Sequence, residues 1–306
     1  MDQKKPKPVK QHTVPKVYLN RFTNEKGLFH VYDIDKRVYR LQPPKTTSVE
    51  KDFYTVSNID GEKNYFIEEL MSQYVEKDFG EIIDKFLKTN KLNLSEKEYL
   101  ALFIAFQHLR TPQYRDQFID FLDRAYKQTT ELALRVYKAN YGKTDINTVA
   151  TEDELDRMIE LFEKEQVKFN FHNDKYLKFM MEFVEKEANI LLQQNWVFLK
   201  APKSSEFITC DHPFYMSRPK YLPNWSGVGL LTEGSAKVFP LTPKMCVMIM
   251  NHGNAELLYQ YSREDVRQIN LSLGLSAKRF IISREKKLLE RIVNTLEFQR
   301  KKATSN

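Results

Sequence analysis

Cysteine is scarce: Cys210 and Cys246 are the only two in 306 residues. Two thiols cannot build a disulfide framework or a four-thiolate zinc site, so a reduced, cytoplasmic setting is expected. Glycine is also sparse, with 9 residues, which excludes collagen-like and glycine-rich classes. No apolar run approaches the ~18 residues of a membrane-spanning helix. The run Cys246–Met250 is strand length. Residues 1–20 have no apolar stretch of the kind a secretory peptide needs. Several compact motifs are missing too. There is no G-x-x-x-x-G-K-[ST], no G-x-S-x-G and no H-E-x-x-H, and neither cysteine has a C-x-x-C partner.

What is present is an ordinary globular composition. Hydrophobic residues make up 42% and charged residues 29%, and 21 Phe with 16 Tyr can fill a sizeable core. The net charge is +7 and the pI about 9.0, mildly basic for this length. The basic clusters lie at the ends: Lys4, Lys5, Lys7 and Lys10, then Arg300, Lys301 and Lys302. They read as solvated tails or, more sharply, as an arm that grips phosphates.

Three zones follow a disordered basic arm at 1–10. Residues 11–60 read as β structure. Residues 29–41 alternate as a hairpin turning at Asp33–Lys36, and Pro43-Pro44 ends it. Residues 17–22 fit a helical turn or a strand, and 52–56 a strand or loop. Residues 62–195 are helical. Apolar spacing of three to four runs through Phe66, Leu70 and Tyr74, then Ile82, Ile83, Phe86 and Leu87. A capping box is expected at Ser95–Glu98, a stop and restart at Thr111-Pro112, and a helix that starts at Thr151 and runs, with a break near 171–174, to about Gln194. Residues 196–300 switch to period two at 196–200, 207–211, 237–241, 244–251, 256–261 and 279–283. Ser262 caps one helix there, and another runs through Leu288 to Leu296. The fold expected is α+β: a mainly antiparallel sheet shared by the N-terminal hairpin and the C-terminal strands, with a large helical insert, 11–300 forming one unit.

A scattered polar set sits at element boundaries. Asp211 ends the strand FITCD, where a rigid strand can fix a carboxylate for chemistry or where Asp caps a turn. His212 follows it. His12 lies between the basic arm and the first apolar run, as a general base, a metal ligand or a structural pin. Gln107, His108, Arg110 and Arg115 gather around the helix break, and Arg110 suits a carboxylate or phosphate. Glu69 and Glu76 on the preceding helix are solvated acids or partners for Arg110. Glu185 and Glu187 read as exposed helix charge.

The segments QHTVPKVYLNRF, DFYT, FQHLRTPQYR, FITCDHP and FPLTP, with Asn270, together resemble the bacterial domain of unknown function family 4238, over roughly 10–285. Its members open with His-x-x-Pro-x-x-Tyr-Leu-x-x-Phe, matched here by His12, Pro15, Tyr18, Leu19 and Phe22. The Arg-Thr-Pro break falls on Arg110 and Pro112, the Asp-Asn-Pro strand end on Asp211 and Pro213, and the Pro-Leu pair on Pro240 and Leu241. His212 stands where Asn is usual. The resemblance implies a full-length fold and a residue shortlist, and it names no substrate.

Three functional expectations follow. In the first, His12, Glu76 and Asp211 are catalytic and Arg110, Gln107 and Arg115 bind substrate in a hydrolase acting on a phosphodiester of nucleic acid or a nucleotide, with a divalent metal held by Glu76 and Asp211 as one option. In the second, the same cluster is a non-catalytic module that binds an anionic ligand or nucleic acid, lined by Trp196 and Trp225. In the third, it is a buried structural network. No membrane partner is expected, and no residue speaks to a setting such as prokaryotic defence.

Overall fold

The computed structural model describes residues 10–57, 63–142, 150–223, 225–251 and 256–304. The lysines expected as a basic arm lie outside these, except Lys10, which begins the first strand. The chain divides into two compact units, Met1–Gln113 with Leu177–Asn306, and Tyr114–Tyr176.

The larger unit opens with β1 (Lys10–His12), α1 (Lys16–Leu19), β2 (Phe29–Asp33), β3 (Val38–Gln42), β4 (Val49–Lys51), β5 (Val56–Ser57) and β6 (Lys63–Asn64). Three helices follow: α2 (Phe66–Leu70), α3 (Phe79–Thr89) and α4 (Leu94–Leu109). The segment 17–22 is helical, and 53–54 forms a turn whose Phe53 and Tyr54 are buried. The smaller unit holds most of α5 (Pro112–Ala139), all of α6 (Glu152–Glu163) and the first residues of α7 (Asn173–Leu192). Pro112 starts α5, where its missing amide leaves no helical bond unmade. Thr151 and Glu154 form the capping box that opens α6. Back in the larger unit come β7 (Asn195–Lys200), β8 (Thr209–Cys210), β9 (Tyr215–Met216), β10 (Ala236–Thr242), β11 (Met245–Met250), β12 (Glu256–Gln260), α8 (Arg263–Ser276), β13 (Phe280–Ser283) and α9 (Lys286–Thr304).

The main sheet runs β12-β7-β11-β10-β9. Its pairings are antiparallel except β12 on β7, which is parallel. Helices cover both faces, which explains the unbroken apolar strands WVFL and MCVMIM. On one face the rings of Tyr18 and Phe239 are tilted together with centres 5.1 Å apart, and those of Phe86 and Phe198 with centres 4.2 Å apart. On the other, Val197, Leu199, Val238 and Cys246 share a core with Val266 and Leu273 of α8 and Leu289 and Ile292 of α9.

The second sheet runs β3-β2-β13-β8, so the N-terminal hairpin does join C-terminal strands. Val38, Tyr39 and Leu41 are exposed, because β3 is its edge. The expected strand 207–211 shrinks to two residues. Phe207 donates its amide to Pro243 O at 2.8 Å and Ile208 to Asn270 Oδ1 at 2.9 Å, which removes both from the ladder. The cap of α4 also differs from Ser95–Glu98. Asn93 accepts from the Glu96 amide, and Glu96 reaches back to Asn93, both at 2.9 Å. Cys210 and Cys246 are free and buried.

Gly274 lets α8 approach α9. A Cβ there would meet Leu296 Cδ1 at 2.6 Å and Ile292 Cγ2 at 3.4 Å. Gly274→Ala is therefore expected to destabilise by about 1–3 kcal/mol despite alanine's better helix propensity. Urea unfolding checks this, and a stabilised variant would mean that the helices separate freely.

Candidate functional site

Arg110 ends α4 and is 3% exposed. Its guanidinium donates to Glu76 Oε1 at 2.8 Å, to the backbone oxygen of His12 at 2.6 Å and to Tyr54 Oη at 3.0 Å. Tyr54 donates its hydroxyl back to Arg110 O at 3.1 Å, and its amide donates to Gln11 Oε1 at 2.6 Å. Burial works against the Arg110 charge, but Tyr54 and Glu76 outweigh it and hold the guanidinium above its usual range. Burial pushes the Tyr54 phenol up to about 12. Glu76 follows a π-helical turn at Met71–Val75, and the Tyr99 hydroxyl clamps that turn by donating to Val75 O. Gln107, 1% exposed, donates to Thr13 O at 3.3 Å. His12 thus joins Arg110 through its backbone. Burial and the neighbouring Arg110 lower its pKa, and its Nε2 is buried without a partner.

Asp211 does not join this group. Its carboxylate accepts from the amides of Lys278 at 3.1 Å and Arg279 at 2.8 Å, closing the turn between α8 and β13. Burial lifts it to about 6, against the pull of those amides. Arg115 falls in the smaller unit, where it bonds Asp116 at 3.1 Å. The expected convergence of His12, Glu76, Arg110 and Asp211 thus reduces to His12, Glu76 and Arg110. Among the described residues, no three His, Cys, Asp or Glu gather as metal ligands. Trp196 and Trp225 do not line the group either. Trp196 is buried and donates Nε1 to Leu191 O at 2.8 Å, and Trp225 is 88% exposed.

A second polar cluster was not foreseen. His108 Nδ1 lies 2.6 Å from Glu187 Oε1, both buried, so Glu187 is not an exposed helix charge. The signal was readable: Glu187 falls on the α7 stripe of Val184, Ala188 and Leu191. His212 Nδ1 bonds Thr111 Oγ1 at 2.7 Å, and its ring centre is 6.1 Å from that of His108. Burial, then His108, depresses His212 to about 3, so it is a neutral core histidine.

A cleft of about 670 Å³ opens between α8 and α9. Arg263, Lys287 and Arg291 line it, are exposed, and make no ion pair among the described residues. Arg267 beside them is paired with Glu264 at 3.1 Å. Of the lining carboxylates, Glu206 is bonded to Arg284, which leaves Glu285 as the opposing charge. The rim at 203–206 is held in place. Asn270 Nδ2 donates to Glu206 O at 2.8 Å, and Lys244 Nζ donates to Lys203 O and Ser205 O at 3.0 and 2.8 Å. Asn270 therefore bonds the loop on both of its amide atoms.

An α+β protein with a two-faced sheet, a buried arginine junction and an open cationic cleft is the class these features define. The chain belongs to the family described as Protein of unknown function (DUF4238), matched over residues 10–287. Comparison with curated proteins and with solved structures found no match. No helix among the described residues is long and apolar enough to cross a membrane.

Proposed function

We propose that this protein is a binding module for a phosphate-bearing anion, a nucleotide or a nucleic-acid backbone, and that the α8–α9 cleft receives it. The observation that carries the reading is the presence of three unpaired cations in one cleft of ligand size, against one unpaired carboxylate. Exposed cations of this kind draw anions by charge, and Arg263 and Arg291 add the planar fork that fits phosphate. Hydrolysis through the residues singled out from the sequence has less support. Arg110 and Asp211 have their polar atoms engaged by the protein itself.

Fluorescence anisotropy with labelled nucleotides and single-stranded oligonucleotides tests the reading. Arg263→Ala with Arg291→Ala is expected to weaken binding at least about tenfold, since hydrogen bonds to charged groups contribute roughly 1.5–3 kcal/mol each. The melting temperature should stay near wild type because both side chains are exposed. Binding that is equal in variant and wild type, or that ignores salt between 50 and 200 mM, removes the cleft from consideration.

A further inference from the structure

Lys237 sits on β10, on the face shared with Phe239 and Leu241, and is fully buried. Its ammonium finds only neutral acceptors. It donates to the Ser235 backbone oxygen at 3.4 Å and to Asn251 Oδ1, and no ion pair with a carboxylate reaches it among the described residues. Asn251 Oδ1 also accepts from Gln194 Nε2 at 2.8 Å, which brings the Gln194 amide to the same acceptor. Around this knot two buried polar atoms lack partners, Ser235 Oγ and Gln194 Oε1. Gln194 Nε2 and Asn251 Nδ2 are spent on the loop above, donating to Leu230 O at 3.1 Å and Thr232 O at 2.7 Å.

A buried ammonium without a counter-charge is strongly unfavourable, and a third N–H together with an orphan hydroxyl are donors in search of an acceptor. We propose that Lys237 and the Ser235 hydroxyl form a site for a small monovalent anion beneath the 230–235 loop, with chloride as the simplest occupant. The anion supplies the missing charge and accepts the two free donors. It also braces the loop, because Asn251 and Gln194 tie residues 230–232 to the sheet and Asn251 Oδ1 is the acceptor that Lys237 bonds. Burial brings the lysine down to about 8, which still leaves it mostly protonated at neutral pH. This site is separate from the α8–α9 cleft and stands whether or not that cleft binds phosphate.

The test is thermal unfolding in potassium gluconate, with chloride replacing gluconate at constant ionic strength. Wild type should gain a few degrees, saturating with chloride, as expected when a ligand binds only the folded state. Lys237→Met should lose that gain while melting no lower than wild type, since it removes the uncompensated charge. The chloride NMR line gives a readout that needs no variant: wild-type protein should broaden it, and excess nitrate should reverse the broadening. A wild-type melting temperature indifferent to chloride with an unbroadened line overturns the proposal, as does an identical chloride response in Lys237→Met.

Discussion

Arg110→Ala is expected to destabilise the protein by about 3–5 kcal/mol, the usual result of stripping one partner from a buried charged pair. The loss should be this large because the guanidinium serves three segments at once. It bonds Glu76 after the π turn, the His12 backbone at the end of β1, and Tyr54 in the turn before β5. Alanine leaves a carboxylate, a carbonyl and a buried phenol without their donor. Arg110→Lys keeps the charge but has no planar fork to span the three acceptors, so an intermediate loss is expected. Arg135→Ala makes the comparison, since its pairs with Glu131 and Glu163 are exposed and screened by solvent, so its loss should be far smaller than that of Arg110→Ala. Against a typical margin of about 5–15 kcal/mol, the Arg110 loss would show clearly in urea unfolding. A loss below about 1 kcal/mol would remove Arg110 as the junction.

The residues that stood out in the sequence turn out to be nodes of the fold. Tyr18 bonds Thr209 at 2.7 Å inside the core, Asp211 closes the turn before β13, and Asn270 holds the 206–208 loop. Pro240 sits where the β10–β11 register shifts. Their residue types were conspicuous because buried polar bonds and bulges demand particular side chains, and a catalytic site would look similar at that level. Element types were readable from the apolar pattern: alternation marked the hairpin, short unbroken apolar runs the central strands, and three-to-four spacing the helices. What could not be read was which distant groups meet. Asp211 looked available because its acceptors' donors, the amides of Lys278 and Arg279, carry no sequence signature. The cleft was equally silent, since Arg263, Lys287 and Arg291 become neighbours only when α8 and α9 pack. Lys237 was legible in principle. Alternation along AKVFPLT puts a lysine in phase with Phe239 and Leu241, and an inward lysine in a buried strand is a warning worth heeding.

Asp211 and His212 give stability two opposed pH dependences from adjacent residues. Burial holds folded His212 at about 3, against 6.5 when unfolded. Between those values the unfolded chain binds more protons, so stability falls as the pH drops below 6.5. Asp211 runs the other way, at about 6 when folded against 3.8 when unfolded. There the folded chain binds more protons, so its contribution is full below 3.8 and is lost as the pH rises through 6. Between pH 6 and 4 the two slopes largely cancel in the wild type. His212→Asn removes only the first. Apart from a constant offset for the lost ring and its bond to Thr111, the variant should gain on wild type as the pH falls, by on the order of 3 kcal/mol near pH 4. Asp211→Asn removes only the second and should fall behind over the same range. Urea unfolding at half-unit steps from pH 7.5 to 4 resolves both slopes. Curves for the two variants that stay parallel to wild type would show that neither side chain titrates as its burial requires.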